Sequence, residues 1–207
     1  MPQTLQQLLE TDDPAWPLLR QWLADAPNGA NLWTTPRERG EATVFRLQIP
    51  ASTMLGAMAL YTAGVSVDGG WLRLLGAGGP PLGAGLREWN GLAGKPPALP
   101  GGLVVAHDAI GGFYVVNGGA LEGEHGRVYY RAPRTWVALG VGYTDFVRWC
   151  LEADLDRFYL RLRWEGWREQ VRALAPDQAL IGDGDARRPV PVRALWRLVV
   201  PDSAVEA

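Results

Sequence analysis

Residues Gly101 to Gly119 read GGLVVAHDAIGGFYVVNGG, and this stretch decides the fold. Two apolar runs, Leu103–Ala106 and Phe113–Val116, flank a polar tip with His107, Asp108 and the pair Gly111-Gly112. That pattern predicts a β-hairpin with a glycine-bent turn. Asn117-Gly118-Gly119 ends its second strand.

Working outward, a second hairpin is predicted just upstream. Val65-Ser66-Val67 and Trp71–Leu75 flank Asp68-Gly69-Gly70, an Asp-Gly turn signal. Gly126–Arg131 reads as another strand, stopped at Pro133, and Val44–Ile49 alternates as a strand would. Helices are predicted around Leu5, Leu8 and Leu9 after Thr4, from Asp13-Pro14 to Pro27, and from Thr53 to a C-cap at Gly64. One helical turn is expected at Leu86–Asn90. A helix follows Thr144-Asp145, and a further helical region runs from Leu155 to Leu174, broken near Gly166. Gly76–Gly85 and Gly91–Gly102 are loops, Gly182–Asp185 is a turn, and Val190–Val200 is expected to add a short last strand. Helices, then antiparallel strands with short turns, then helices make an α+β pattern in one domain, with a core at about residues 4–174 and a C-terminal extension at 175–207.

Composition narrows the function classes. The chain has 207 residues, enough for one substantial core. Its 20 basic and 22 acidic residues are interspersed, which argues against nucleic acid or an anionic membrane as partner. The single cysteine, Cys150, lies among Val147, Trp149 and Leu151 and reads as a small buried hydrophobe. The N-terminal MPQTLQQLLETDD has neither signal- nor transit-peptide character, and no apolar run approaches the ~20 residues of a membrane span, so a cytoplasmic protein is expected. Ten tryptophans call for a role in a core, an interface or a sugar site.

No catalytic constellation stands out. Gly76–Gly79 with Gly83 and Gly85 lacks the Gly-Lys-Ser/Thr ending of a phosphate loop and reads as a connector. His107 and His125 are far apart, without metal-ligand spacing, so no metal or cofactor is expected. Ser52, Ser66 and Ser203 sit in no nucleophile elbow. Glu122 and Glu124 flank a loop glycine, which keeps only a weak sugar-processing idea alive. Asp183 and Asp185 are followed by Arg187-Arg188 where a calcium loop would continue with oxygen ligands. Trp164 and Trp167, three residues apart, are read as one helix face packed on the sheet, with an exposed binding anchor as the alternative.

Several segments together resemble a bacterial family known as domain of unknown function 2625. They are Ala15-Trp16-Pro17, Gly70–Gly76, Ala106–Phe113, Asn117–Gly119, Val128–Tyr130, Tyr143–Phe146, Phe158-Tyr159 and Arg163–Trp167, spread over about Thr4–Leu174. His107 stands where such proteins more often carry a second Asp. More distantly, the layout resembles the SUKH superfamily of Smi-and-Knr-like proteins. Thr53–Gly64, Val65–Leu75, Leu103–Val116 and Tyr143–Leu151 stand in that superfamily's order. The resemblance implies a SUKH-like α+β fold, an antiparallel sheet with helices packed on it. It also implies a non-enzymatic protein-interaction role, such as an immunity protein that binds and neutralises a toxin. Two other readings stay open. One is a small-molecule or carbohydrate-binding enzyme with Arg73, Asp108 and Asn117 around a pocket walled by Trp71 or Trp89 near the 103–117 hairpin. The other is a homodimeric scaffold. The residues expected to bind are Arg73, His107, Asp108, Asn117, Trp164 and Trp167.

Overall fold

The computed structural model describes residues 2–94, 99–132 and 135–199. Its centre is a seven-stranded antiparallel sheet: β1 (Ala30–Thr34), β2 (Thr62–Val67), β3 (Leu72–Leu75), β4 (Gly102–Asp108), β5 (Phe113–Asn117), β6 (Val128–Ala132) and β7 (Thr135–Ala138). Order across the sheet follows order along the chain, so every strand pairs with its sequence neighbour. The predicted α+β class holds. Both predicted hairpins form, β2 with β3 and β4 with β5. The first turns through Asp68–Gly70 as one turn of 3-10 helix.

Antiparallel partners directly opposite each other share a face. One face therefore carries the row Leu32, Val65, Leu74, Ala106, Tyr114, Tyr130 and Val137. The other carries Asn31, Ser66, Arg73, His107, Phe113, Arg131 and Trp136. His107 and Asp108 are consecutive in β4, so they project from opposite sides of the sheet.

Helices α1 (Leu5–Leu9), α2 (Trp16–Asp25), α3 (Arg37–Leu47) and α4 (Met54–Tyr61) build one side of the core, with α6 (Tyr143–Glu152) and α7 (Leu155–Phe158). Thr4 caps α1 and Thr53 caps α4 as expected. Tyr114 stacks on Tyr130 at 4.6 Å and packs tilted against Phe146 of α6 at 4.9 Å, which seats α6 on the first face. Cys150 is fully buried there, and burial pushes its thiol pKa well up, so it packs as a hydrophobe. The second face is covered by α5 (Leu86–Trp89) and by the C-terminal hairpin β8 (Gln178–Ile181) and β9 (Arg188–Pro191) with α9 (Val192–Val199). Trp196 of α9 packs 4.8 Å from Phe113, and the Leu180 amide donates to the Ala109 carbonyl. Within the described residues the extension beyond Ala175 thus docks on the sheet.

Several local expectations are corrected. Val44–Ile49 is no strand: residues 37–47 form α3, with Gly40, Thr43 and Val44 buried at helical spacing. A Cβ on Gly40 would lie 2.0 Å from the Leu60 carbonyl, so only glycine lets α3 and α4 cross this closely. Gly64 is not a C-cap. α4 runs straight into β2, where Gly64 faces Leu75. The second helix starts at Trp16 after Ala15, not at Asp13-Pro14, and α6 is preceded by Gly142 as N-cap. Of the region from Leu155 to Leu174, only α7 and α8 (Trp167–Arg172) are helical, and a left-handed Gly166 sits at the break. Residues 192–199 are helix, not strand. Pro133, Val200 and the chain beyond it lie outside the described residues. β1, β7 and β8 had no counterpart among the predicted strands.

Candidate functional site

Asp108 ends β4 and faces the helical side. Its Oδ1 accepts from the Gly112 and Ile110 amides at 2.7 and 3.0 Å, and its Oδ2 accepts from the Tyr130 hydroxyl at 2.7 Å. Burial raises its pKa, and the hydrogen bonds from Tyr130, Gly112 and Ile110 oppose that rise. A Cβ on Gly112 would sit 2.3 Å from Oδ2, so this turn is built around the carboxylate. Beside it the Tyr114 and Tyr159 hydroxyls hydrogen-bond to each other. Every polar group in this cluster has its partner, which is the signature of a structural core network.

Asn117 also organises chain. Its side-chain oxygen accepts from the Gly119 and Leu121 amides, and its amide donates to the Leu121 and Glu124 carbonyls. It holds the loop before β6, away from Arg73. Trp164 and Trp167 meet inside the molecule rather than on one helix face, because Trp164 precedes α8. Both approach Trp71, at 5.9 and 4.9 Å. Arg163 lies over Trp71 and Trp167 at 4.7 and 4.1 Å and pairs with Asp68, and Arg187 covers Trp164 at 3.9 Å. This cluster clamps the β2–β3 turn to the chain entering α8.

Arg73 and His107 are cross-strand neighbours on the other face, and each is only 1% exposed. Arg73 Nη1 donates to the Gln178 carbonyl at 2.9 Å, its one hydrogen bond among the described residues. It forms no ion pair among them. Burial pulls its pKa down to about 10, while Asp108 and Asp177 favour the charged form. The guanidinium therefore stays charged at neutral pH. His107 is pulled down to about 3, first by burial and then by the Arg73 charge, so it is a neutral imidazole. Its Nδ1 has no partner among the described residues, and its ring lies 5.8 Å from Trp89.

The row Asn31–Ser66–Arg73 runs from solvent into the interior. It forms the floor of a cleft of about 440 Å³. Trp33 and Ala30 of β1 line one side, and Val171, Arg172, Leu174 and Pro176 line the other. Backbone of Gly29, Gly69 and Gly70 completes the rim. This volume lies within the ~300–1,000 Å³ usual for small-ligand sites. Of the six residues expected to bind, Arg73 is paired with His107, Trp164 and Trp167 gather on Trp71, and only Arg73 lines the cleft. Asn31, Ser66, Arg172 and Trp33 were missed. Their one sequence signal is Arg73 itself, a charge inside the apolar strand WLRLL.

Other candidates resolve into local roles. In the Gly76–Gly85 loop, the amides of Gly76, Gly78, Gly79 and Gly83 all donate to backbone carbonyls, consistent with a connector. Glu124 pairs with Arg127 at 2.7 Å. Among the described residues no three His, Cys, Asp or Glu side chains gather as a metal site, and no helix is long and apolar enough to cross a membrane.

With this geometry in place, the comparisons with known proteins define the class. The family model described as "Protein of unknown function DUF2625" matches residues 5–182, and the chain belongs to this family. It is 37% identical over 179 residues to the "Putative uncharacterized protein YbfG" of Escherichia coli K12, covering 84% of this chain and 81% of that protein. It is 36% identical over 186 residues to an "Uncharacterized protein" of Haemophilus influenzae Rd, covering 86% and 80%. No solved structure matches the chain significantly.

Proposed function

We propose that this chain is a binding domain for a small anionic ligand seated at Arg73. The observation that supports it is a guanidinium sunk in the floor of a cleft with one main-chain hydrogen bond and no carboxylate partner. A buried charge with no carboxylate in contact, and with Asp108 and Asp177 acting on it only through space, is costly, and an anion entering the cleft would offset part of that cost. Arg172, exposed at the rim, adds attraction at the mouth. Calorimetric titration with acetate, sulfate and phosphate tests the reading. Binding of at least one anion, weakened by Arg172→Glu and lost in Arg73→Gln, is expected. No binding of any of the three, or binding indifferent to both substitutions, removes it.

A second reading, the protein-interaction and immunity role, draws support from the far sheet edge. Among the described residues β7 pairs on one side only, and Val137 is 51% exposed opposite Tyr130. Phe158 packs 5.5 Å from Tyr130 and stays partly exposed, and Leu160 nearby is 73% exposed. An open edge beside apolar side chains suits strand addition by an extended segment of a partner such as a toxin. Co-expression with the product of a neighbouring toxin gene tests it: the two should co-purify, and Val137→Lys with Leu160→Asp should separate them. Failure of every encoded neighbour to co-purify removes this reading.

A further inference from the structure

Resting on the anion-binding reading of the Arg73 cleft, we infer that the anion is a carboxylate carried on an apolar body. The carboxylate is held by the Nε–Nη2 edge of Arg73.

The guanidinium supplies the first argument. Nη1 is committed to the Gln178 carbonyl at 2.9 Å. The Nε and Nη2 N–H groups on the adjoining edge have no hydrogen-bond partner among the described residues. These two donors are parallel and coplanar, a fork that matches the two oxygens of a carboxylate. A lysine in the same place would offer a point charge and no such selectivity.

Charge supplies the second. Arg73 is the one buried cation in the lining; Arg172 is out at the rim. A single negative charge matches Arg73, on which Asp108 and Asp177 already act through space. A phosphate dianion would bring a second negative charge near those carboxylates, which is costly.

The walls supply the third. Trp33, Val171, Leu174 and Pro176 line the same cleft with apolar surface, and Asn31 and Ser66 are its neutral polar side chains. A bare inorganic anion would leave that surface unused. A carboxylate attached to a ring or branched chain would bury it, with the indole of Trp33 available for stacking. Two sources share this chemistry. One is a free organic acid. The other is the C-terminal residue of a polypeptide whose chain leaves past the exposed Asn31.

The test uses the full chain and calorimetric titration with phenylacetate, phenylacetamide, inorganic phosphate, sulfate, the tripeptide Ala-Ala-Phe and its C-terminal amide. Phenylacetate or the tripeptide acid should bind at least about tenfold tighter than its own amide and than either inorganic anion. Arg73→Lys should erase the preference over the amide while keeping weak phosphate binding. Hydrogen exchange should slow in residues 171–178 when the acid binds, because Val171, Leu174 and Pro176 line the cleft and the Gln178 carbonyl holds Nη1 of Arg73. A tripeptide acid that outbinds phenylacetate assigns the site to polypeptide C-termini, and the reverse order assigns it to free acids. Phosphate or sulfate binding as tightly as the carboxylates overturns this inference and leaves the anion-binding reading standing. Binding of none of the six overturns both. Because the acid–amide comparison is made on the wild-type chain, the inference stays open to refutation even if Arg73→Lys does not fold.

Discussion

On the Asp108 side of the central sheet, the carboxylate accepts from Tyr130, Gly112 and Ile110, and Tyr114 and Tyr159 bond to each other. On the Arg73 side, a guanidinium has one hydrogen bond and an imidazole nitrogen has none among the described residues. Both clusters bury polar groups on neighbouring strands, yet only the Asp108 cluster satisfies its own groups from within the described residues. A saturated network fixes architecture, because each member loses free energy if its partner moves. An unsaturated one costs stability and leaves donors for something that is not part of the chain. The same difference separates Asp108 from its sequence neighbour His107.

The comparison is broken most directly at Asp108. Asp108→Ala should destabilise the fold by about 3–5 kcal/mol, since it strands two turn amides and a buried hydroxyl. Asp108→Asn should cost clearly less, because its carbonyl oxygen can still accept from the turn. Urea unfolding of the two variants measures this, and equal losses would mean the turn does not depend on the acceptor.

Acid titration probes the other side. His107 is neutral in the fold down to about pH 3 and protonates near 6.5 when unfolded. Between those values the unfolded chain binds the extra proton, so stability should fall as pH drops. The loss is up to about 1.4 kcal/mol per pH unit and a few kcal/mol in all. Asp108, with its raised pKa, contributes with the opposite sign, in wild type and variant alike. His107→Phe keeps a ring beside Trp89 and should flatten the acid limb of the stability profile. An unchanged limb would show that His107 is solvated.

Arg73→Met sharpens the contrast with a smaller effect. If Arg73 waits for a ligand, replacing it by an apolar chain of similar length should change stability by about 1 kcal/mol or less, or raise it. A loss near 3 kcal/mol would make Arg73 a strut for Gln178 instead. The smallest effect is expected at the β7 edge. Val137→Lys and Leu160→Ser should each shift stability by about 0.5 kcal/mol at most, because both side chains already face solvent.

Much of the sheet was legible because its signals are local. Asp68-Gly69 and Gly111-Gly112 bend the chain where their residue types allow, and the apolar runs beside them pair across short loops. Residues 44–49 were misread because Val-Phe-Arg-Leu-Gln-Ile alternates over a window too short to reveal the helical stripe of Gly40, Thr43 and Val44. β1 escaped notice because its pairing with β2 spans two intervening helices, and β7 because most of its side chains are exposed. At the site, Arg73 and His107 were named from sequence, but with Asp108 and Asn117 as companions rather than Asn31 and Ser66.

The sequence by itself determined the α+β class and both central hairpins. These follow from backbone geometry and hydrogen bonds between residues close in the chain. Only the tertiary structure decided which polar residues share a face and which remain unpaired. Cross-strand register aligns Asn31, Ser66, Arg73 and His107 from four separate strands, and docking of residues 176–199 determines what covers them. Those pairings depend on long-range packing, which no single stretch of sequence contains.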